Sequence, residues 1–209
     1  MTSSAGANST AADSVRSPHA LASLTADPGA DRARAEAAVG ELLAALGQDP
    51  DGEHLIDTPR RVVDGLIELL TPEPFALTTF ANDGGYSELV LVRDIPFTSL
   101  CEHHMLPFRG IAHVGYVPSE RIVGLSKLAR VVDWFARGLQ VQERLTAQIA
   151  DHLERHLDPL GVGVALEAEH MCMSIRGVRA GGATTVTSAF RGDIARDPAL
   201  RVQFSSGAR

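Results

Sequence analysis

Between Phe97 and Gly110 the sequence reads Phe-Thr-Ser-Leu-Cys-Glu-His-His-Met-Leu-Pro-Phe-Arg-Gly, setting Cys101, Glu102, His103 and His104 in succession between apolar stretches. Thiolates and imidazoles bind metal ions, and imidazoles also move protons near neutral pH. Cys101 and His104 are separated by two residues, a spacing that lets both turn toward one ion from a tight loop. The only other cysteine, Cys172, lies in Glu169-His170-Met171-Cys172. Two cysteines and a histidine make three ligands, and a zinc ion held by three protein ligands keeps a fourth position for a reactive water. Two other arrangements use the same residues. One is a disulfide, which the flanking histidines disfavour; the other is a closed structural site in which His103 or His170 is a fourth ligand. A strand carrying His170 and Cys172 on one side would instead leave an imidazole beside the ion, able to give or take protons. His103, wedged between two candidate ligands, is read as serving bound water or substrate, although a lone histidine is commonly solvent-facing. Glu102 is either a hydrogen-bond partner for an imidazole or a surface carboxylate.

Two further groups can grip an anion and a base. Gly124-Leu125-Ser126-Lys127-Leu128-Ala129-Arg130 starts a helix with a hydroxyl, a lysine and, one turn on, an arginine. Lys127 and Arg130 share a face at i, i+3, and free N–H groups at a helix start attract phosphate. The alternative is a capped helix with solvated cations. Arg176, four residues after Cys172, is placed to close such a pocket from the metal side. In Gln142-Glu143-Arg144 a fixed carboxylate can accept two parallel N–H bonds, the pattern guanine offers from its ring N–H and exocyclic amine. A glutamate in a first helical turn is otherwise simply favourable with the helix dipole.

These groups need elements to hold them. Val39, Leu42, Leu43 and Leu46 recur at i, i+3, i+4, i+7 before Gly47, predicting an amphipathic helix from Asp31. Thr58-Pro59 caps a second, with Val63, Leu66, Ile67 and Leu70 on its apolar face. Ser87 to Ile95 reads as a strand stopped by Pro96, which leaves the cysteine-histidine cluster in a loop or a single helical turn. Strand character resumes from Phe108 to Val117, and Pro118 to Arg121 predicts a turn into Ile122-Val123, an antiparallel hairpin. Ser126 is the expected cap of a helix through Phe135, broken near Gly138 and resumed from about Val141 to Leu157. Val162 to Met173 alternates, with Ala168, His170 and Cys172 on one face, and Ala183 to Phe190 makes the last strand. Residues after Gly192 carry charges and small side chains with no evident role.

The chain has 209 residues, 44% of them hydrophobic, enough for one cored domain. Residues 1–30 are rich in Ala, Ser, Thr, Gly and Asp and predict a disordered extension; residues 31–193 form the domain and 194–209 a tail. A formal net charge of -7 argues against a nucleic-acid partner. No stretch reads as a signal peptide or a membrane span, which predicts a cytoplasmic, reducing location by default and no membrane partner.

Taken together, Ser-Leu-Cys-Glu-His-His (99–104), Gly-Leu-Ser-Lys-Leu-Ala-Arg (124–130), Gln-Val-Gln-Glu-Arg-Leu-Thr (140–146), Glu-His-Met-Cys-Met (169–173) and Arg-Gly-Val (176–178) closely resemble the zinc-dependent GTP cyclohydrolase I family, over roughly 34–192. The resemblance implies hydrolysis and rearrangement of GTP to 7,8-dihydroneopterin triphosphate and formate, opening folate and pterin biosynthesis. It implies one zinc per subunit on Cys101, His104 and Cys172, with His103 and His170 handling protons. Gln142 and Glu143 match the guanine-recognition segment, and Ser126, Lys127, Arg130 and Arg176 the triphosphate contacts. The implied fold is α+β, the tunnelling fold, an antiparallel sheet with helices packed on one side, preceded by N-terminal helices and assembled into a homodecamer with active sites between neighbours. Gly138 stands where the family has a larger, often basic residue, and the stretch after Gly192 departs from the usual ending. Competing readings are a zinc-stabilised nucleotide-binding or regulatory protein without turnover, and the nitrile reductase branch of the same fold; intact His103 and His170 argue against the first and the full Cys-Glu-His-His cluster against the second.

Overall fold

The computed structural model describes residues 31–208, so the expectation for residues 1–30 lies outside the described residues. Helices α1 (Arg32–Ala45) and α2 (Thr58–Leu70) come first. The 3.6-residue pattern did form α1, yet none of its residues is buried, and Leu42 and Leu46 are 56% and 67% exposed. Arg32 bridges to Glu36 at 3.0 Å and pairs with Asp64, tying α1 to α2. In α2, Asp57 is the cap residue, and Thr58 and Pro59 fill the first turn.

The main sheet contains β2 (Val90–Cys101), β3 (Pro107–Val117), β5 (Leu139–Gln140), β6 (Gly161–His170) and β7 (Thr184–Arg191), ordered β5-β2-β3-β6-β7. All pairings are antiparallel except β2 with β5. Pro96 does not stop β2, contrary to expectation. On its outer side β2 meets β5 only at Leu100 and Cys101, so Pro96 sits where β2 is an edge strand, a position that tolerates a missing N–H. The strand therefore runs directly into the cysteine-histidine cluster. The predicted hairpin is also corrected: β4 (Arg121–Val123) pairs with β1 (Thr79–Ala81), which was too short for any periodicity to reveal. Both edges of β3 are taken by β2 and β6, leaving β4 no ladder to join there.

Helices α3 (Leu125–Ala136) and α4 (Gln142–Leu157) cover one face of the sheet. Leu128, Val131, Val132 and Phe135 from α3, and Leu145, Ile149, Leu153 and Leu157 from α4, close on Val114, Tyr116, Val162, Val164 and Leu166. Gly124 caps α3, so Ser126 lies inside its first turn and makes no capping bond. The alternation through Cys172 is corrected too: β6 stops at His170, and Cys172 belongs to the single helical turn α5 (Met171–Ser174).

The residues after Gly192, for which the sequence suggested no role, form α6 (Gly192–Arg196) and α7 (Pro198–Gly207). Asp197 caps α7 by accepting from the Ala199 N–H at 2.8 Å. Phe204 is 1% exposed and meets Phe190 edge-on at 5.5 Å. A β-carbon on Gly163 would stand 2.8 Å from the Phe204 ring, so the glycine in β6 makes the seat for it. Because strand side chains alternate, this seat lies on the face opposite the one that Val162 and Val164 present to α4.

Candidate active site

The hairpin joining β2 to β3 holds the first half of the site. Cys101 N–H donates to Leu106 O at 2.9 Å, and Met105 N–H returns to Cys101 O at 2.8 Å with Met105 in the left-handed region. This tight turn projects His103 and His104 outward while Cys101 stays buried. The second half arrives on β6. Pairing with β3 sets His170 opposite Phe108, and the two rings stack at 4.6 Å with only 3° between planes. The turn of α5 immediately after His170 swings Cys172 back toward Cys101.

Cys101, His104 and Cys172 bring one ligand atom each within 4.8 Å of one another. Two sulfurs bound to tetrahedral zinc at about 2.3 Å stand about 3.8 Å apart, so the trio needs little adjustment to close on an ion. Burial and the neighbouring Cys101 push the Cys172 thiol above its usual range. Two thiolates here repel each other, and a cation between them supplies the missing charge. His103 and His170 stand outside the trio, which leaves three protein ligands and favours an open site over a closed one. His103 Nδ1 is 3.8 Å from Cys101 Sγ, while His170 Nε2 is 2.8 Å from Gln142 Oε1. Burial lowers the His170 pKa, opposed by the nearby Glu143 carboxylate, which is itself exposed. Arg176 Nη1 lies 3.4 Å from His104 Nε2, on the metal side as its spacing suggested.

The start of α4 and the strand before it tether both halves, a role the sequence did not reveal. Glu102 holds no imidazole: it accepts from Arg144 at 2.5 Å, while its N–H donates to Gln140 O at 3.0 Å. Arg144 also donates to Gln140 Oε1 and Leu139 O. Gln140 has no chemical signal of its own in the sequence, and its burial in β5 beside Cys101 depends on a parallel pairing that local pattern cannot show.

The helix that carries Ser126, Lys127 and Arg130 starts at the end of the sheet away from this cluster. The residue that precedes their helix by two, Val123, donates its N–H to the Tyr116 hydroxyl, and Tyr116 pairs with Val90 at the start of β2. Cys101 is at the other end of that strand, roughly 30 Å away at the usual rise per residue. Lys127 and Arg130 make no ion pair with another described residue.

An α+β sheet on which Cys101, His104 and Cys172 converge closely enough to hold a metal ion, with His103 and His170 beside them, suits a metal-dependent hydrolase. A sequence profile of the GTP cyclohydrolase I family matches residues 35–209, and the chain belongs to that family. It is 54% identical to GTP cyclohydrolase 1 of Mycolicibacterium gilvum over 194 residues, covering 90% of this chain and 96% of that protein. It is 56% identical to the enzymes of the same name from Mycobacteroides abscessus (83% of this chain, 87% of that one) and Streptomyces griseus (84% and 90%). The architecture is accordingly the tunnelling fold that the motifs implied, with α7 added on the second face. The matched region includes the C-terminal helices.

Proposed function

We propose that this chain hydrolyses and rearranges GTP to 7,8-dihydroneopterin triphosphate and formate in the cytoplasm, as the first step of tetrahydrofolate and pterin biosynthesis. The observation that carries the reading is a three-member ligand set with two histidines beside it but outside it. The residues fit zinc, one per subunit: two soft sulfur donors and an imidazole converge to within 4.8 Å of one another. Bound there, zinc supplies Lewis-acid activation of water.

The chain's own groups do the rest. His170, kept neutral by burial, takes protons during imidazole-ring opening, and His103 on the exposed turn exchanges them with substrate or solvent. Glu143 meets the paired donors of guanine, and with Gln142 opens the segment that faces the base. Ser126, Lys127, Arg130 and Arg176 hold the triphosphate.

The helix carrying Lys127 and Arg130 starts at the end of β2 away from Cys101, and on that ground Lys127 and Arg130 are read as serving a metal centre on a neighbouring copy. That placement supports sites between subunits, and the homodecamer itself is what the family resemblance implies. Purified protein is expected to carry one zinc per chain and to yield formate and an oxidisable, fluorescent pterin from GTP. Metal content measured alongside that assay checks it; stoichiometric zinc with no product would make the chain a binding protein instead.

A further inference from the structure

Gln142 is 1% exposed, although it sits in the segment expected to face the base. Its amide nitrogen lies 3.1 Å from Leu166 O, 2.9 Å from Thr185 O and 3.1 Å from Thr187 Oγ1. Two of these are backbone carbonyls, which only accept, so the amide cannot be turned the other way round. A ring of hydroxyls reinforces the orientation. Thr146 donates to Gln142 O at 2.7 Å, so across the 2.6 Å contact between the two threonines it is Thr187 that donates, leaving Thr187 Oγ1 to accept from Gln142.

Gln142 Oε1 therefore points at His170, and a carbonyl oxygen can only accept. The hydrogen of that 2.8 Å bond must sit on His170 Nε2. In a neutral imidazole this leaves the lone pair on Nδ1. The parallel Phe108 ring at 4.6 Å holds the imidazole plane, so the direction of that lone pair is fixed as well.

We infer that Gln142 is a positioning residue: it locks His170 in the Nε2–H tautomer and makes Nδ1 the atom that accepts a proton, and its side chain does not read the purine. This rests on His170 carrying protons, as proposed above. A side chain that recognised guanine would need an amide atom open to the ligand, and the bonds to β6, β7 and His170 leave none exposed. Within the base-facing segment the exposed group is the Glu143 carboxylate.

The test compares full-length, zinc-loaded wild type with His170→Ala, Gln142→Met and Gln142→Glu. His170→Ala is expected to keep zinc and lose turnover; if it turns over GTP normally, the reading of His170 fails and the inference fails with it. With His170→Ala inactive, Gln142→Met is expected to lower kcat about tenfold or more while KM for GTP stays within about twofold. In Gln142→Glu the second carboxyl oxygen faces Leu166 O and Thr185 O, which only accept, so it must carry a proton there; the first oxygen then still accepts from His170, and part of the lost kcat is expected to return. Wild-type kcat with KM raised about tenfold in Gln142→Met would overturn the inference alone, since that pattern belongs to a base contact. A measurement independent of any Gln142 variant is the nitrogen-15 spectrum of histidine-labelled wild type. The signals absent from His170→Ala must be those of an Nε2–H imidazole, and an Nδ1–H signature overturns the tautomer assignment.

Discussion

His103 and Cys172 make opposite demands at the scale of single residues. Cys172 is one of the three residues whose ligand atoms converge, and burial and the neighbouring Cys101 hold its thiol above its usual range, so on the proposed reading removing it deletes both a donor and the reason for the site to close. His103 meets the trio through a 3.8 Å contact with Cys101 Sγ and an edge-on approach to the His104 ring at 6.3 Å, and is otherwise exposed. Cys172→Ala is therefore expected to lose zinc and activity together. His103→Ala should keep one zinc per chain while turnover falls by about 10²- to 10⁴-fold, the usual worth of a proton-transfer group. Metal analysis of the two variants beside the GTP assay separates these outcomes, and a metal-free His103→Ala protein would make His103 a ligand.

At the scale of elements, α7 and α4 each carry a testable stability argument. Phe204 fills the seat above Gly163, and Phe204→Ala should cost about 3–5 kcal/mol through lost burial and the cavity left behind. Thermal unfolding reads this, and turnover per folded chain should be unchanged because Gly163 lies far along β6 from His170. In α4, His152 packs edge-on against Phe135 at 5.3 Å; burial, then the positive fields of His156 and Arg155, lowers its pKa from 6.5 to about 4. Between those values the unfolded chain binds a proton that the folded chain refuses, so stability falls as pH drops from 6.5 to 4 and no further below. The loss is about 2 kcal/mol after allowing for partial exposure. His152→Leu should flatten that part of the stability curve relative to wild type. Such element-level facts were unevenly legible. Local period and turn chemistry revealed α2, α3, α4, β3, β6 and β7, and the motifs named all three residues that the fold brings together, Cys101, His104 and Cys172. What stayed hidden depends on pairing across the sheet: Pro96 inside an edge strand, β4 joined to β1, Gln140 beside Cys101, and an α7 whose anchoring requires a glycine 41 positions earlier. Cys172 does lie beside Cys101 and His104, but on a helical turn rather than on the strand its alternation suggested, because a strand and a single helical turn both bring a residue two positions after His170 near the same place.

For the whole molecule, the decisive feature is the separation of the two halves of the proposed substrate site. Tyr116 and Val90 mark the end of the sheet where α3 begins, and Cys101, Phe108 and His170 mark the other. If Lys127 on one copy grips the triphosphate of a GTP whose base sits by His103 on another, a site needs one intact half from each chain. His103→Ala and Lys127→Ala are each expected to abolish turnover alone. Unfolding and refolding the two together in equal amounts randomises the partners, and about a quarter of the sites should then combine two intact halves. Recovery of roughly that fraction of wild-type activity, absent when the proteins are mixed without refolding, places the site between copies. A refolded mixture as inactive as its components would mean that both halves must come from one chain, and the strand length separating Cys101 from Val90 would then need another explanation.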